Sequence, residues 1–241
     1  LNVRGGATNQ NLILYNDAIV YNPSHLFGFF STFNPDVLKN VELYKSGIPA
    51  DYGGRLSSVL DVRAREGNSK KVQGSGGISP ITARFMLEGP IIKDRTTFLV
   101  GVRSTYSDWI LSQVDARELK NSSASFYDIN VGVHHKIDQD NSLYFSAYRS
   151  VDQFTLNTDT TYRYSDRNAS IKWQHIFNNK LSGVFTGSMN RYQYAIESEA
   201  NPVTAASLNF SIQQWNAKAD FSYFPSAKHS LTGGISILRY A

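Results

Sequence analysis

Phe126-Tyr127-Asp128-Ile129-Asn130-Val131-Gly132-Val133-His134-His135-Lys136-Ile137 is the stretch whose reading decides the fold. Successive side chains of a β-strand point to opposite faces. A strand here puts Tyr127, Ile129, Val131, Val133 and Ile137 on one face. Asp128, Asn130, Gly132, His134 and Lys136 fall on the other. The sheet of a soluble protein has no use for Lys, Asp and Asn repeated on its inner face. Apart from His135, which falls on the first face, one apolar face and one polar face fit a strand with lipid outside and a watery or filled lumen inside.

The same split recurs downstream. Ala169, Ile171 and Trp173 oppose Asn168, Ser170, Lys172 and Gln174, and Trp215, Ala217, Ala219, Phe221 and Tyr223 oppose Asn216, Lys218, Asp220 and Ser222. Leu208, Phe210 and Ile212 are out of phase with Trp215 onward, so a bulge is expected near Gln213-Gln214; two strands with a bend are the alternative. Tight polar turns are expected at Ile91–Arg95, Asp138–Asn141, Asn178–Lys180 and Pro225–Lys228. Long loops are expected at Tyr106–Ala124, Asp152–Thr160 and Glu197–Ala206. Short turns at one end and long loops at the other are the asymmetry of outer-membrane barrels.

Composition agrees. Mean hydropathy is −0.33, and no run of about 18 apolar residues offers a spanning helix. Barrels hide their apolar face at every second residue, so that absence does not count against them. The 14 Tyr, 14 Phe and 3 Trp suit aromatic girdles, or the core of a soluble β-sandwich. With no Cys, neither a disulfide nor a thiolate metal site is available. The net charge of +4 is spread thinly, with no basic arm for nucleic acid. Enzyme chemistry finds no support. His134 and His135 are adjacent on a strand and face apart, His25, His175 and His229 lack a carboxylate at ligand spacing, and no nucleophile elbow, zinc-protease, P-loop or dinucleotide motif occurs. Gly74-Ser75-Gly76-Gly77 reads as the first barrel strand, whose small residues let the domain before Gly67 pass close by. No catalytic residue, cofactor or metal is expected.

Before Gly67 the pattern differs. Leu12–Tyr15 and Ala18–Tyr21 flank Asn16-Asp17 as a hairpin. Pro35–Leu38 suits a short helical turn, and Val41–Tyr44 and Val59–Val62 read as further strands. The order of short pieces is the most specific signal: Val3-Arg4-Gly5-Gly6, Leu14-Tyr15-Asn16-Asp17, Val41-Glu42-Leu43-Tyr44-Lys45, Asp51-Tyr52-Gly53, then Val59-Leu60-Asp61-Val62. Leu87-Glu88-Gly89-Pro90-Ile91 with Lys93-Asp94-Arg95-Thr96 follows as a first barrel turn. In this order the pieces resemble the TonB-dependent outer-membrane receptors, closely over residues 1–105 and in style beyond. Asp17-Ala18 departs from the Asp-Gly usual in the family's hairpin, and Lys45 stands where Arg is frequent.

The resemblance implies a mainly β chain: a small α+β plug over residues 1–69, truncated at its N-terminal side, and antiparallel transmembrane strands over 70–241, the first nine or so of a 22-stranded barrel. The 170 residues from 72 to 241 give roughly 19 per strand, so about 420 would be needed for the whole ring and the chain is expected to be a piece. Energised import of a scarce nutrient into the periplasm is implied, at the outer membrane of a Gram-negative bacterium. A passive surface receptor or secretion-associated barrel is the alternative, and a soluble carbohydrate-binding sandwich the rival outside the family. Implied partners are the bilayer, the TonB-ExbB-ExbD complex acting on a box upstream of Leu1, in some branches a lipoprotein lid, and a small-molecule, glycan or peptide ligand. Arg4 and Lys45 match residues at the plug–barrel interface, where Lys45 keeps the charge but loses the bidentate fork of Arg. Plug loops touch substrate in the family, which draws attention to Tyr21–Phe33 and its five aromatics. Tyr21, Asn22 and His25 are the better placed ligand contacts, followed by Phe27 and Phe29. Alternatively Phe27, Phe29, Phe30 and Phe33 fill the unit's own core.

Overall fold

A computed structural model describes residues 3–106, 122–156, 160–198 and 205–241. The chain is mainly β. The hairpin comes first: β1 (Asn11–Tyr15) pairs antiparallel with β2 (Ala18–Ile19), Leu14 opposite Ile19. Asn16 (φ 47°) and Asp17 (φ 68°) both take left-handed backbone, the geometry of a two-residue hairpin turn. The turn therefore closes without glycine, because Asn and Asp tolerate that region. A second small hairpin, β3 (Ser24–His25) with β4 (Phe30–Ser31), follows. Next come β5 (Leu38–Tyr44) and β6 (Ser58–Ala64), antiparallel to each other, with β6 parallel to β1. The small sheet has the order β2-β1-β6-β5, and β5 is its exposed edge.

The expected α+β character is not realised. Among residues 3–69 helix is limited to three single 3-10 turns, Thr8–Gln10, Leu26–Gly28 and Pro35–Val37. Pro35 does start a turn, capped by the Asn34 side chain accepting from Asp36 N–H at 3.1 Å. The chain then runs straight into β5, and no apolar period of 3.6 exists to bury a longer helix.

A single antiparallel sheet takes the rest of the chain, in sequence order from β7 (Gln73–Ile78) through β8 (Thr82–Ile92), β9 (Thr96–Thr105), β10 (Ser123–Lys136), β11 (Asn141–Leu156), β12 (Thr160–Asn178), β13 (Leu181–Ser198) and β14 (Ala206–Ser226) to β15 (His229–Tyr240). One face carries Asp128, Asn130, Ser146, Asp166, Asn168 and Asn190, buried under the N-terminal unit. The other carries Ile129, Phe145, Ile171, Trp173, Trp215 and Phe221, all exposed. The four tight turns lie where expected, at one end of the sheet.

Two expectations about strands are corrected. β13 and β14 pair in unbroken register from Leu181 opposite Tyr223 to Ser198 opposite Ala206, so there is no bulge at Gln213-Gln214. The parity slip means instead that Leu208, Phe210 and Ile212 share the inner face with Gln214 and Asn216. The segment Asp152–Leu156 is strand rather than loop, because Asp152 and Phe154 find partners on the N-terminal unit. Residues 157–159, and most of the loops expected at Tyr106–Ala124 and Glu197–Ala206, lie outside the described residues.

The N-terminal unit seats on the inner face through small apolar contacts ringed by polar ones. Ile13, Tyr15, Val20 and Val62 pack with Tyr148 of β11, and Val37 packs with Met86 and Leu99 of β8 and β9. Close approach falls at Gly101, where an added Cβ would lie 2.3 Å from Val37 Cγ1. The glycines of β7 face neighbouring strand β8 instead, which corrects the expectation for Gly74–Gly77. Ion pairs join Lys172 to Asp17, Arg84 to Asp36 (3.3 Å) and Arg65 to Glu88 (3.5 Å).

Candidate functional site

The hairpin β3–β4 lifts its turn, Leu26–Phe29, against the inner face of β10–β12. Leu26 (φ 47°) and Phe27 (φ 59°) both occupy left-handed backbone, costly for residues with a bulky side chain. Asp152 of β11 holds them there. Its Oδ1 accepts from the Leu26 N–H at 3.0 Å and its Oδ2 bonds His25 Nδ1 at 2.8 Å.

His25 is wholly buried, with Nε2 3.5 Å from Asp128 Oδ2. Its ring stacks on Phe126 at 4.1 Å and an interplanar angle of 7°. Arg103 closes the cluster. Its Nε donates to Asp128 at 2.7 Å, a terminal nitrogen donates to the Ser31 carbonyl at 2.7 Å, and the guanidinium lies 5.1 Å from the Phe126 ring centre. Burial works against a charged imidazole, but hydrogen bonds to Asp128 and Asp152 outweigh it and hold the His25 pKa above its ordinary value. A protonated His25 with Arg103 balances the two carboxylates, which is what a buried group of four charges requires.

Above this cluster the inner wall is aromatic. Phe27 meets Phe154, Tyr162 and Tyr164 edge-on at 5.2, 6.0 and 5.7 Å. Tyr164 stacks on Tyr194 at 5.1 Å, and Tyr21 lies 6.1 Å from Tyr192. The Tyr21 hydroxyl donates to Gln214 Oε1 at 2.6 Å. Burial, followed by the neighbouring Tyr240, pushes the Tyr21 phenol up to about 12, so it stays a donor. Tyr21, Asn22, Ser24, Phe27, Tyr164, Tyr192 and Ile212 line a cavity of about 330 Å³.

Three of the five expected ligand contacts, Tyr21, Asn22 and Phe27, thus come together. His25 sits beneath them without reaching the cavity, and Phe29 projects from the turn, 85% exposed. Phe33 packs on Tyr15 in the core, while Phe30 packs on Phe126 of the large sheet. Arg4 and Lys45 are exposed, and neither makes an ion pair among the described residues. Sequence reasoning missed Ser24 beside the expected contacts and, on the wall, Tyr164, Tyr192 and Ile212. The signal for the wall residues was parity, since Tyr162 and Tyr164 continue the polar face of Asp166 and Asn168, and Tyr192 continues that of Asn190.

No protein-family model and no curated protein matches the chain. Solved structures do. The ferric enterobactin receptor PfeA of Pseudomonas aeruginosa superposes with a TM-score of 0.71 at 14% identity, over 96% of this chain and 41% of its own. The ferric-catecholate import receptor Fiu of E. coli K12 gives 0.71 at 13% identity, over 96% and 42%. The copper transporter OprC gives 0.73 at 9% identity, over 96% and 38%. The chain has the fold of the TonB-dependent receptors across the region it spans, about two fifths of their length.

Proposed function

We propose that this chain is the part of a TonB-dependent outer-membrane transporter that holds the plug, residues 1–69, and the first nine strands of a 22-stranded barrel, residues 70–241. The observation that carries the reading is the two-faced sheet. Its polar face is covered by the small unit while its apolar face, with Ile171, Trp173, Trp215 and Phe221, is left for lipid. Ligand meets the aromatic cavity between Tyr21, Phe27, Tyr164 and Tyr192, on the side of the sheet away from the tight turns. Energy from the inner membrane, delivered through TonB, then shifts the unit against the wall. Arg4 and Lys45 face strands outside this chain, a reading supported by their making no ion pair among the described residues. The solved neighbours receive ferric enterobactin, import ferric catecholates or transport copper, and nutrient import is the activity they share.

Fractionation and uptake test the reading together. The full-length protein is expected in the detergent-extracted outer membrane. A strain depending on it for a limiting nutrient is expected to lose growth when TonB is deleted. A detergent-free soluble product, or uptake indifferent to TonB, would overturn the reading.

A further inference from the structure

The cavity identifies the kind of ligand it can hold, an inference that rests on the cavity being the transporter's ligand site. We propose that it takes an uncharged, polyhydroxylated ring compound, a saccharide.

The inner wall changes character with height. Near the tight turns it presents Lys172, Lys218 and Asp220. Beyond Asp152, Asp166 and Gln214 it presents Phe154, Tyr162, Tyr164, Tyr192, Tyr194 and Ile212, joined across strands as Phe154–Tyr162, Tyr164–Tyr194 and Tyr192–Ile212. Among the described residues no charged side chain lines the cavity, and the cation that acts on the Tyr21 phenol, Arg55, stands outside the lining. The carboxyl groups next below, Asp152 and Asp166, offer nothing to an anion. A ferric catecholate is anionic and would be desolvated against the described lining without a counter-charge in direct contact. Copper is held by Cys, Met or His, and none of these is among the described residues that line the cavity.

What the cavity does offer is flat aromatic faces edged with hydrogen-bonding groups. The hydroxyls of Tyr164 and Tyr192 make no hydrogen bond among the described residues, and the Asn22 carboxamide and Ser24 hydroxyl stand beside them. A sugar ring lays its axial C–H face on such a ring and bonds its equatorial hydroxyls at the rim. Phe27, fixed by the strained turn that Asp152 clamps, supplies a preformed edge. The volume, about 330 Å³, lies at the small end of ligand sites and fits a short saccharide segment.

The test is equilibrium binding to the purified full-length protein in detergent, by calorimetry. The probes are maltohexaose, cellohexaose, xylohexaose and mannohexaose, against ferric tris-catecholate and Cu²⁺ as rivals. At least one saccharide is expected to bind. Tyr164→Ala or Tyr192→Ala should weaken it about tenfold through lost stacking, and Tyr192→Phe about fivefold through the lost hydroxyl. Saccharide binding untouched by these variants would overturn the proposal. So would failure of all four saccharides, or binding of the ferric complex or Cu²⁺ that depends on Tyr164 and Tyr192. If the protein sits in the outer membrane and imports a charged chelate, the ligand class fails and the transporter reading stands. If it binds a saccharide but no uptake depends on TonB, the transporter reading fails and the site stands.

Discussion

At the scale of single residues, His25 and Gly101 are the positions where substitution has the most definite consequence. His25→Leu removes one cation from a buried group of four charges and leaves Asp152 and Asp128 under-compensated. The expected loss is about 3–5 kcal/mol, read as a fall in the unfolding midpoint of the purified protein. The pH dependence has a fixed sign. The folded-state pKa of His25 is raised, so its stabilisation is fully present below the unfolded value of about 6.5 and is lost as pH rises through the folded value. As pH rises above about 6.5 the native protein should therefore lose more stability than His25→Gln, whose side chain does not titrate. Gly101→Ala places a Cβ against Val37 and should cost about 1–3 kcal/mol by overpacking, checked by the same melt. Neither role was visible in the sequence. His25 looked like a ligand contact because its partners, Asp128 and Asp152, lie 103 and 127 residues away, and only the register of β10 against β11 brings those two together.

At the scale of elements, strand identity was legible while strand ends and facing were not. Alternation over Phe126–Ile137 identified β10 because two environments, an exposed apolar face and a buried polar wall, repeat every second residue. The hairpin of β1 and β2 was legible from Asn16-Asp17. Asp152–Thr160 looked like a loop because Asp152, Asn157 and Asp159 are poor strand formers in isolation, and the N-terminal unit that rescues Asp152 could not be seen. The assumed bulge at Gln213-Gln214 came from the rule that apolar side chains point outward. That rule fails where the inner wall itself turns apolar, at Leu208, Phe210 and Ile212. The chain contains no cysteine, which allows a direct check of facing. With the protein in membranes, Phe210→Cys should react with a charged, water-soluble maleimide, while Ser211→Cys should react at least about tenfold more slowly, because successive residues face opposite sides. Equal rates would show a break in the β13–β14 register.

At the scale of the whole molecule, the N-terminal unit is held by the buried cluster of His25, Asp128, Asp152 and Arg103 and, around it, by many modest contacts. Lys172–Asp17 and Arg84–Asp36 are partly exposed, and such pairs contribute about 0–1 kcal/mol each. Replacing Lys172 and Arg84 together with Met should leave the sheet intact. It should also release the N-terminal unit to protease at a lower urea concentration, seen as early loss of fragments from residues 1–69. The general architecture followed from sequence because it depends on periodicity and on the order of short pieces. The cavity did not, because it is assembled from β3, β12, β13 and β14 and no local pattern spans that distance.

The small sheet has a mechanical grain. Strand β1 lies between β2 and β6 and runs parallel to β6 over five residue pairs, Asn11–Ser58 to Tyr15–Val62. A tension along β1 loads those pairs side by side in shear, so they must yield together. Strand β5 has only β6 beside it, and a transverse pull peels its pairs one after another. The same unit is thus stiff in one direction and soft in the other, and the direction of an applied force decides whether it moves as a body or unravels from its edge.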